Sequence, residues 1–310
     1  MKRDIVVMGA SAGGVEALQK VVRGLPKKFN ASLFVVLHLG KESFLPEILQ
    51  SRTALPVAWA KDLEKIKPGR IYAAPFNSHL MLELGTVRLV HGPKENNHLP
   101  AIDPLFRSAA SVYGPRVIGV VLSGTLDDGT AGLMTIKAKG GQAVIQDSKD
   151  ALFPEMPLNA MKYIKPDFVL PAAQIGAMLG RLADAAIEKE LRTAGLKEVK
   201  RNHTPFTCPT CQGVLSEYLH GNLLQYSCEV GHKFSPETLL KEQSGALESA
   251  LWSAYRALEE DITLAQRLAS SARERGDYRM ARRLENHGRQ LLRHSGLFRR
   301  VLHITAPSPV

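Results

Sequence analysis

Short, almost unbroken apolar runs recur along the first part of the chain. Between them lie longer stretches whose apolar positions return every three or four residues. The runs IVVMG (5–9), LFVVL (33–37), PVAWA (56–60), RIYAA (70–74), VIGVVL (117–122), QAVIQ (142–146) and FVLP (168–171) predict strands. The spacing predicts helices between several of them, at 15–22, 105–112 and 129–139. Strands that are apolar on both faces, alternating with helices, make an α/β domain with a mainly parallel sheet covered on both sides. One stretch breaks the rule. MLELGTVRLV (81–90) alternates on either side of Gly85-Thr86, which predicts a hairpin.

The pattern changes after a closing helix predicted over 174–192. The domain is therefore assigned to 1–192. Residues 193–205 are polar and predict a linker. A compact Cys/His unit occupies 206–236, and 237–310 is a helical tail. In the tail, Leu247, Leu251, Ala254, Leu258, Ala265 and Leu268 form one seam. Ala281, Leu284, Gly288, Leu291, Ser295, Phe298 and Leu302 form a second, beyond Gly276. Two seams joined by a short turn predict an antiparallel helical hairpin, closely spaced at Gly288 and Ser295.

Composition narrows the class. With 310 residues, 45% hydrophobic and 23% charged, the chain has the profile of a soluble globular protein. No apolar run reaches the ~20 residues of a membrane span, so no membrane insertion is expected. The opening MKRDIVVMGAS reads as a buried strand, not a secretory signal, and places the protein in the cytoplasm. The net charge of +10 suggests an acidic partner. It is concentrated in the tail, where nine Arg and no Lys lie between Ser271 and His303. No nucleic-acid motif accompanies it, so nucleic acid is not expected as a partner.

Candidate chemistry starts at Gly9-Ala10-Ser11-Ala12-Gly13-Gly14, which follows the first strand and opens a helix. A dinucleotide fingerprint needs a glycine where Ser11 stands. The same letters read G-x-S-x-G, a sharp strand-to-helix turn that exposes a serine hydroxyl beside helix N–H groups. A serine in such a loop also suits a helix cap. Two further observations favour a nucleophile. His38 follows the second strand, and Asp127 and Asp128 follow VIGVVLSGTL. All lie at carboxyl ends of strands, on the rim where open α/β sheets place their sites. Serine, histidine and aspartate converging there have the nucleophile, base and orienter logic of a hydrolase.

These segments resemble the catalytic domain of the chemotaxis protein-glutamate methylesterases, the CheB-like family. The matching stretches are IVVMGASAGGVEAL, LFVVLHLGKESF, IYAAPFNSHLML, IDPLFRSAA, VVLSGTLDDGTAGL and GGQAVIQDSKDALFPEMPLNAM, in the family's order. The resemblance implies a Rossmann-like fold and a serine carboxyl-ester hydrolase with no catalytic cofactor. Such an enzyme acts on glutamate γ-methyl esters of chemoreceptor-type proteins and can also deamidate glutamine. By position, Ser11 matches the nucleophile, His38 the general base and Asp128 the orienting acid, with Asp127 the second choice. Ala12 and Gly13, together with Thr125 and Met156 at the mouth, are the implied substrate contacts. The family usually has Asn where Asp127 stands. Its chemotaxis enzymes carry a receiver domain before the catalytic one, and here none is expected. The alternative is a regulatory scaffold that binds a signalling partner through the Cys/His unit and the tail.

The three cysteines all fall in that unit. Cys208 and Cys211 form C-x₂-C, and Cys228 and His232 form C-x₃-H. Three thiolates and one imidazole fill a tetrahedral zinc shell and leave no position for a substrate, so a structural zinc is expected. Two short strands turning at His220-Gly221-Asn222 are predicted between the halves. His203 and His220 stand as reserve ligands.

Overall fold

The computed structural model describes residues 1–38, 40, 43–187 and 198–305. They form two compact units, Met1–Leu239 and Leu240–Val310.

The first unit begins with β1 (Ile5–Ala10), α1 (Gly14–Arg23), β2 (Ser32–Leu37), α2 (Leu45–Gln50), β3 (Val57–Trp59) and β4 (Ile71–Ala73). A hairpin follows, β5 (His79–Glu83) and β6 (Thr86–Val90). Then come α3 (Ile102–Tyr113), β7 (Val117–Val121), α4 (Thr130–Ala138), β8 (Gln142–Gln146), α5 (Glu155–Tyr163), β9 (Phe168–Leu170) and α6 (Ala172–Asp184). Seven strands make one parallel sheet in the order β3-β4-β2-β1-β7-β8-β9. The first strand is central, with β2 to one side and β7 to the other. The order reverses across β1, and a crevice opens beyond the strand ends at such a reversal.

Side-chain alternation along β1 assembles both layers. Val6, Met8 and Ala10 join Leu18, Val21, Leu179 and Ile175 on one face. Ile5 and Val7 join Leu105, Phe106, Leu133 and Ile136 on the other. Fully buried strands need apolar residues at every position, which is why these runs stand out in the sequence. The predicted hairpin forms with Glu83 opposite Thr86.

Two expectations change at the end of this domain. The closing helix stops at Asp184 instead of continuing to 192. Ala186 bridges Lys2 and the Ile187 N–H donates to the Met1 carbonyl, so the chain leaves the helix to pair with its own start. Residues 193–197 of the predicted linker lie outside the described residues. From 198 onward it is a strand, β10 (Glu198–Thr207), paired antiparallel with β11 (Val214–His220). Its polar composition suits an edge strand, and that composition conceals it in the sequence. The sheet continues through β12 (Leu223–Cys228) and β13 (Lys233–Phe234), with the turn between β11 and β12 at Gly221-Asn222. This small sheet belongs to the same compact unit as the large one. Leu223 is buried with Ala131 and Met134 of α4, and Thr135 Oγ1 lies 2.9 Å from His220 Nε2.

The chain then forms α7 (Pro236–Glu274) and, past Gly276 at φ +78°, α8 (Tyr278–Thr305). The α8 seam is as predicted. The α7 seam is shifted to Ile262, Ala265, Ala269 and Ala272, which are buried, whereas Leu247 and Leu268 are exposed. Small residues decide the contact. A Cβ on Gly288 would lie 3.8 Å from Ala265 Cβ, and Ser295 Oγ donates to Glu259 at 2.6 Å. Among the described residues, no helix is long and apolar enough to cross a membrane.

Candidate active site and metal centre

The loop after β1 is fixed before any side chain acts. The Ser11 N–H donates to the Ser123 carbonyl at 2.9 Å, which ties it to the end of β7. Ser123 Oγ donates to the Ala12 carbonyl at 2.8 Å, and the Gly14 N–H donates to the Ser11 carbonyl at 2.9 Å. Gly13 has φ +68°, and a Cβ there would fall 2.8 Å from Ser123 Oγ, so both backbone and space require glycine. The turn places Ser11 at the foot of α1, with Ala12 and Gly13 leading into its first N–H groups.

His38 keeps the register of the sheet, its N–H donating to the Ala10 carbonyl at 3.2 Å. Its ring lies between two partners. Nδ1 is 3.1 Å from Ser11 Oγ and Nε2 is 2.9 Å from Asp128 Oδ2. Asp127 does not share this role. Its Oδ1 accepts from Ser235 Oγ at 2.7 Å and Thr238 Oγ1 at 3.1 Å, on the side of the small sheet.

Asp128 is almost enclosed. Oδ2 also accepts from the Ile102 N–H at 2.7 Å. Oδ1 accepts from Asn96 Nδ2 at 3.1 Å and from the N–H groups of Asp103 (3.3 Å) and Gly129 (2.9 Å). Burial pushes its pKa up, but the hydrogen bond and charge of His38, the charge of His98 and the Ile102 N–H outweigh that. Its carboxyl is held well below the usual carboxylate range. Buried Asp103 beside it moves the other way, raised by burial and by the Asp128 charge. The same neighbourhood thus shifts the two acids in opposite directions, Asp128 downward and Asp103 upward.

Thr125 is half-buried, and the Leu126 that follows has φ +61°. The Leu126 N–H donates to Glu155 and its carbonyl accepts from Asn159 Nδ2. Met156 is fully buried, not open at the mouth, and packs against Gly124 beneath Ser11. Sequence reasoning missed Asn96, His98 and Asp103. The His98 ring stacks on His38 with centroids 3.5 Å apart. All three sit in or just after the loop 95–101, which has no periodicity to read.

Cys208, Cys211, Cys228 and His232 come together, their ligand atoms all within 4.8 Å of one another. Gln212 at φ +60° and Gly231 at φ +102° turn the two knuckles back on themselves. Cys211 and Cys228 Sγ are 3.6 Å apart, and His232 Nδ1 is 3.4 Å from Cys228 Sγ. Tetrahedral metal–sulfur bonds of about 2.3 Å give edges of about 3.8 Å, so this donor set fits a thiophilic ion. His220 and His203 are engaged elsewhere, with Thr135 and Ser216.

The family model described as CheB methylesterase matches residues 6–179. A protein of Leptospira interrogans, provisionally described as a protein-glutamate methylesterase/protein-glutamine glutaminase, is 35% identical over 61% of this chain and all of its own length. A protein-glutamate methylesterase of Myxococcus xanthus is 36% identical over 58% of this chain, which spans about half (55%) of that protein. The crystal structure of the Thermotoga maritima CheB methylesterase catalytic domain is 35% identical, with a TM-score of 0.56. The match covers 59% of this chain and all of that one.

Proposed function

This chain belongs to the CheB methylesterase family, and from that premise we propose that it hydrolyses glutamate γ-methyl esters on an acidic, helical, chemoreceptor-like signalling protein. The observation that carries the reading is the unbroken path from Ser11 Oγ through His38 to Asp128.

Ser11 Oγ attacks the ester carbonyl carbon as His38 Nδ1 takes its proton. The His38 Nε2–H donates to ionised Asp128, which fixes the tautomer and balances the imidazolium. The N–H groups of Ala12 and Gly13 face the developing oxyanion at the start of α1. His38 returns the proton to the leaving methanol. Water, deprotonated by the same nitrogen, then releases glutamate from the acyl-serine. A glutamine side chain follows the same route and releases ammonia. An apolar cleft lined by Leu37, Trp59, Ala74, Phe76 and Pro100 begins at the residue before the base and offers a place for a partner's apolar side chain.

Zinc fits the Cys/His cluster. When bound there it supplies cross-linking to a small sheet with little core of its own, and it takes no part in the ester chemistry. Elemental analysis should find about one zinc per chain. Three free thiols suited to metal binding support a reducing, cytoplasmic setting.

A fluorophosphonate probe and a small activated ester test the reading. Ser11 should be labelled, and Ser11→Ala and His38→Ala should each lower kcat by roughly 10³-fold or more. Asp128→Asn should be similarly severe and Asp127→Asn milder. A chain that takes no label and hydrolyses no ester would make the family fold a binding scaffold here.

A further inference from the structure

We propose that the arm leaving the metal cluster, Lys233–Thr238, braces the orienting acid of the esterase site, with Asn96 as the positioning residue between them. Asn96 is buried and spends its polar groups in two directions. Its Nδ2 donates to Asp128 Oδ1 at 3.1 Å and to Asp103 at 3.3 Å. Its other groups face the metal module. The Asn96 N–H donates to the Lys233 carbonyl at 2.8 Å, and its Oδ1 accepts the Ser235 N–H at 3.0 Å.

Lys233 is the residue after the ligand His232, so the path from metal cluster to triad acid is one residue and two hydrogen bonds long. Asn96 has φ +47°, a left-handed conformation that asparagine accepts more readily than most residues. Bonds from both sides hold it there, two to the acids and two to the module. Further contacts keep the arm and the turn before it in place. Ser235 and Thr238 donate to Asp127. Lys233 Nζ lies 3.4 Å from Glu95, which is itself clamped by Arg107 at 2.6 Å. Gly231 fits against Pro93, where a Cβ would come within 2.9 Å. The metal cluster thus sets the position of the arm, the arm sets Asn96, and Asn96 orients the carboxylate that orients His38. Occupancy of the cluster, and the reduced state of its thiols, control the esterase from a site that never touches substrate.

The inference rests on the esterase reading, so its test needs a signal that does not depend on turnover. That signal is the far-downfield proton resonance of the His38–Asp128 hydrogen bond in the full chain. Stripping the metal with a strong zinc chelator should lower kcat on a small ester about tenfold, leave KM unchanged, and broaden or shift that resonance. Returned zinc should restore both. Asn96→Ala should reproduce the loss with metal present and remove most of the remaining response to metal, because the two changes break one path. A stripped chain whose 198–239 amides exchange freely while kcat and the resonance stay unchanged would overturn the brace. So would an Asn96→Ala chain that still loses the same factor on stripping. If Asn96→Ala does not fold, metal removal and return in the unaltered chain decide alone. A chain without turnover whose resonance still follows zinc refutes the esterase reading and keeps the brace.

Discussion

Asp127 and Asp128 are consecutive, both buried, and opposite in behaviour. Asp128 gathers five donors, and its carboxyl is lowered despite burial. Asp127 receives two hydroxyls, and burial, with Glu237 and Asp128 nearby, pushes it up from 3.8 to about 6. Linkage then gives opposite signs. The Asp128 contribution to stability is present above the ordinary carboxylate range and is lost as pH falls through its depressed folded value. The Asp127 contribution is fully present below 3.8 and is lost as pH rises to about 6, because the folded chain holds a proton that the unfolded chain has released. Asn at 127 keeps an oxygen for Ser235 and Thr238 and removes the charge. Asp127→Asn should therefore stabilise the chain more at pH 7.5 than at pH 4, by about 2–3 kcal/mol. Urea unfolding at the two pH values measures it, and an equal change at both would show that Asp127 is not held neutral by the fold. The family's usual Asn at this position is then the residue that escapes the penalty.

At the scale of elements, legibility followed burial. The residues of β1, β2 and β7 are buried throughout, and their apolar runs announce them. Helix α2 has six residues with a proline near its start, and α5 carries Pro157 in its first turn. Neither is long enough to show a helical period through the interruption. In α7 the predicted Leu251, Leu258 and Ala265 lie on the inward stripe, but Leu247, Ala254 and Leu268 do not, because the contact with α8 closes on Ile262, Ala269 and Ala272. Ser11 and His38 could be placed on one rim from the sequence because each directly follows a strand, and Asp128 because it lies in the loop between β7 and α4 on that same rim. Asn96, His98 and Asp103 acquire their roles through contacts distant in sequence, and no local pattern marks them. The Gly124 turn owes its role to a close approach in space that no sequence pattern marks. A Cβ there would stand 2.0 Å from Met156 Sδ and 2.8 Å from Ser11 Cβ, so α5 and the nucleophile loop meet across a single missing methyl. Gly124→Ala should lower kcat at least tenfold with the fold retained, since overpacking shifts Ser11 and not the core. Adding Met156→Ala should recover part of the loss. A single variant as fast as the parent would mean that α5 yields and that Met156 does not set the position of Ser11.

At the scale of the whole molecule, the helical unit Leu240–Val310 holds one strongly basic element, α8, with seven Arg against a single Glu. Arg279, Arg282, Arg283, Arg289, Arg293, Arg299 and Arg300 are all exposed on α8. Only part of this charge is neutralised within the unit, as where Arg273 pairs with Glu285 and Arg299 with Tyr255 and Glu259. An acidic helical substrate carries the complementary charge, and attraction between such surfaces is screened beyond about 8 Å at physiological salt. The place to cut follows from the packing. Leu239 is buried with Cys208 and Phe234, so a truncation must keep the start of α7, and one ending at 244 does. If the basic unit recruits substrate, that truncation should leave kcat and KM on a small ester unchanged. It should raise KM severalfold on an acidic helical peptide bearing a glutamate methyl ester, and the difference between the two chains should shrink as salt is raised. A truncated chain that is faster on both substrates would make the tail a restraint on the site. Equal KM values for the peptide at low salt would separate the arginines from substrate capture altogether, since recruitment by charge has to be strongest where screening is least.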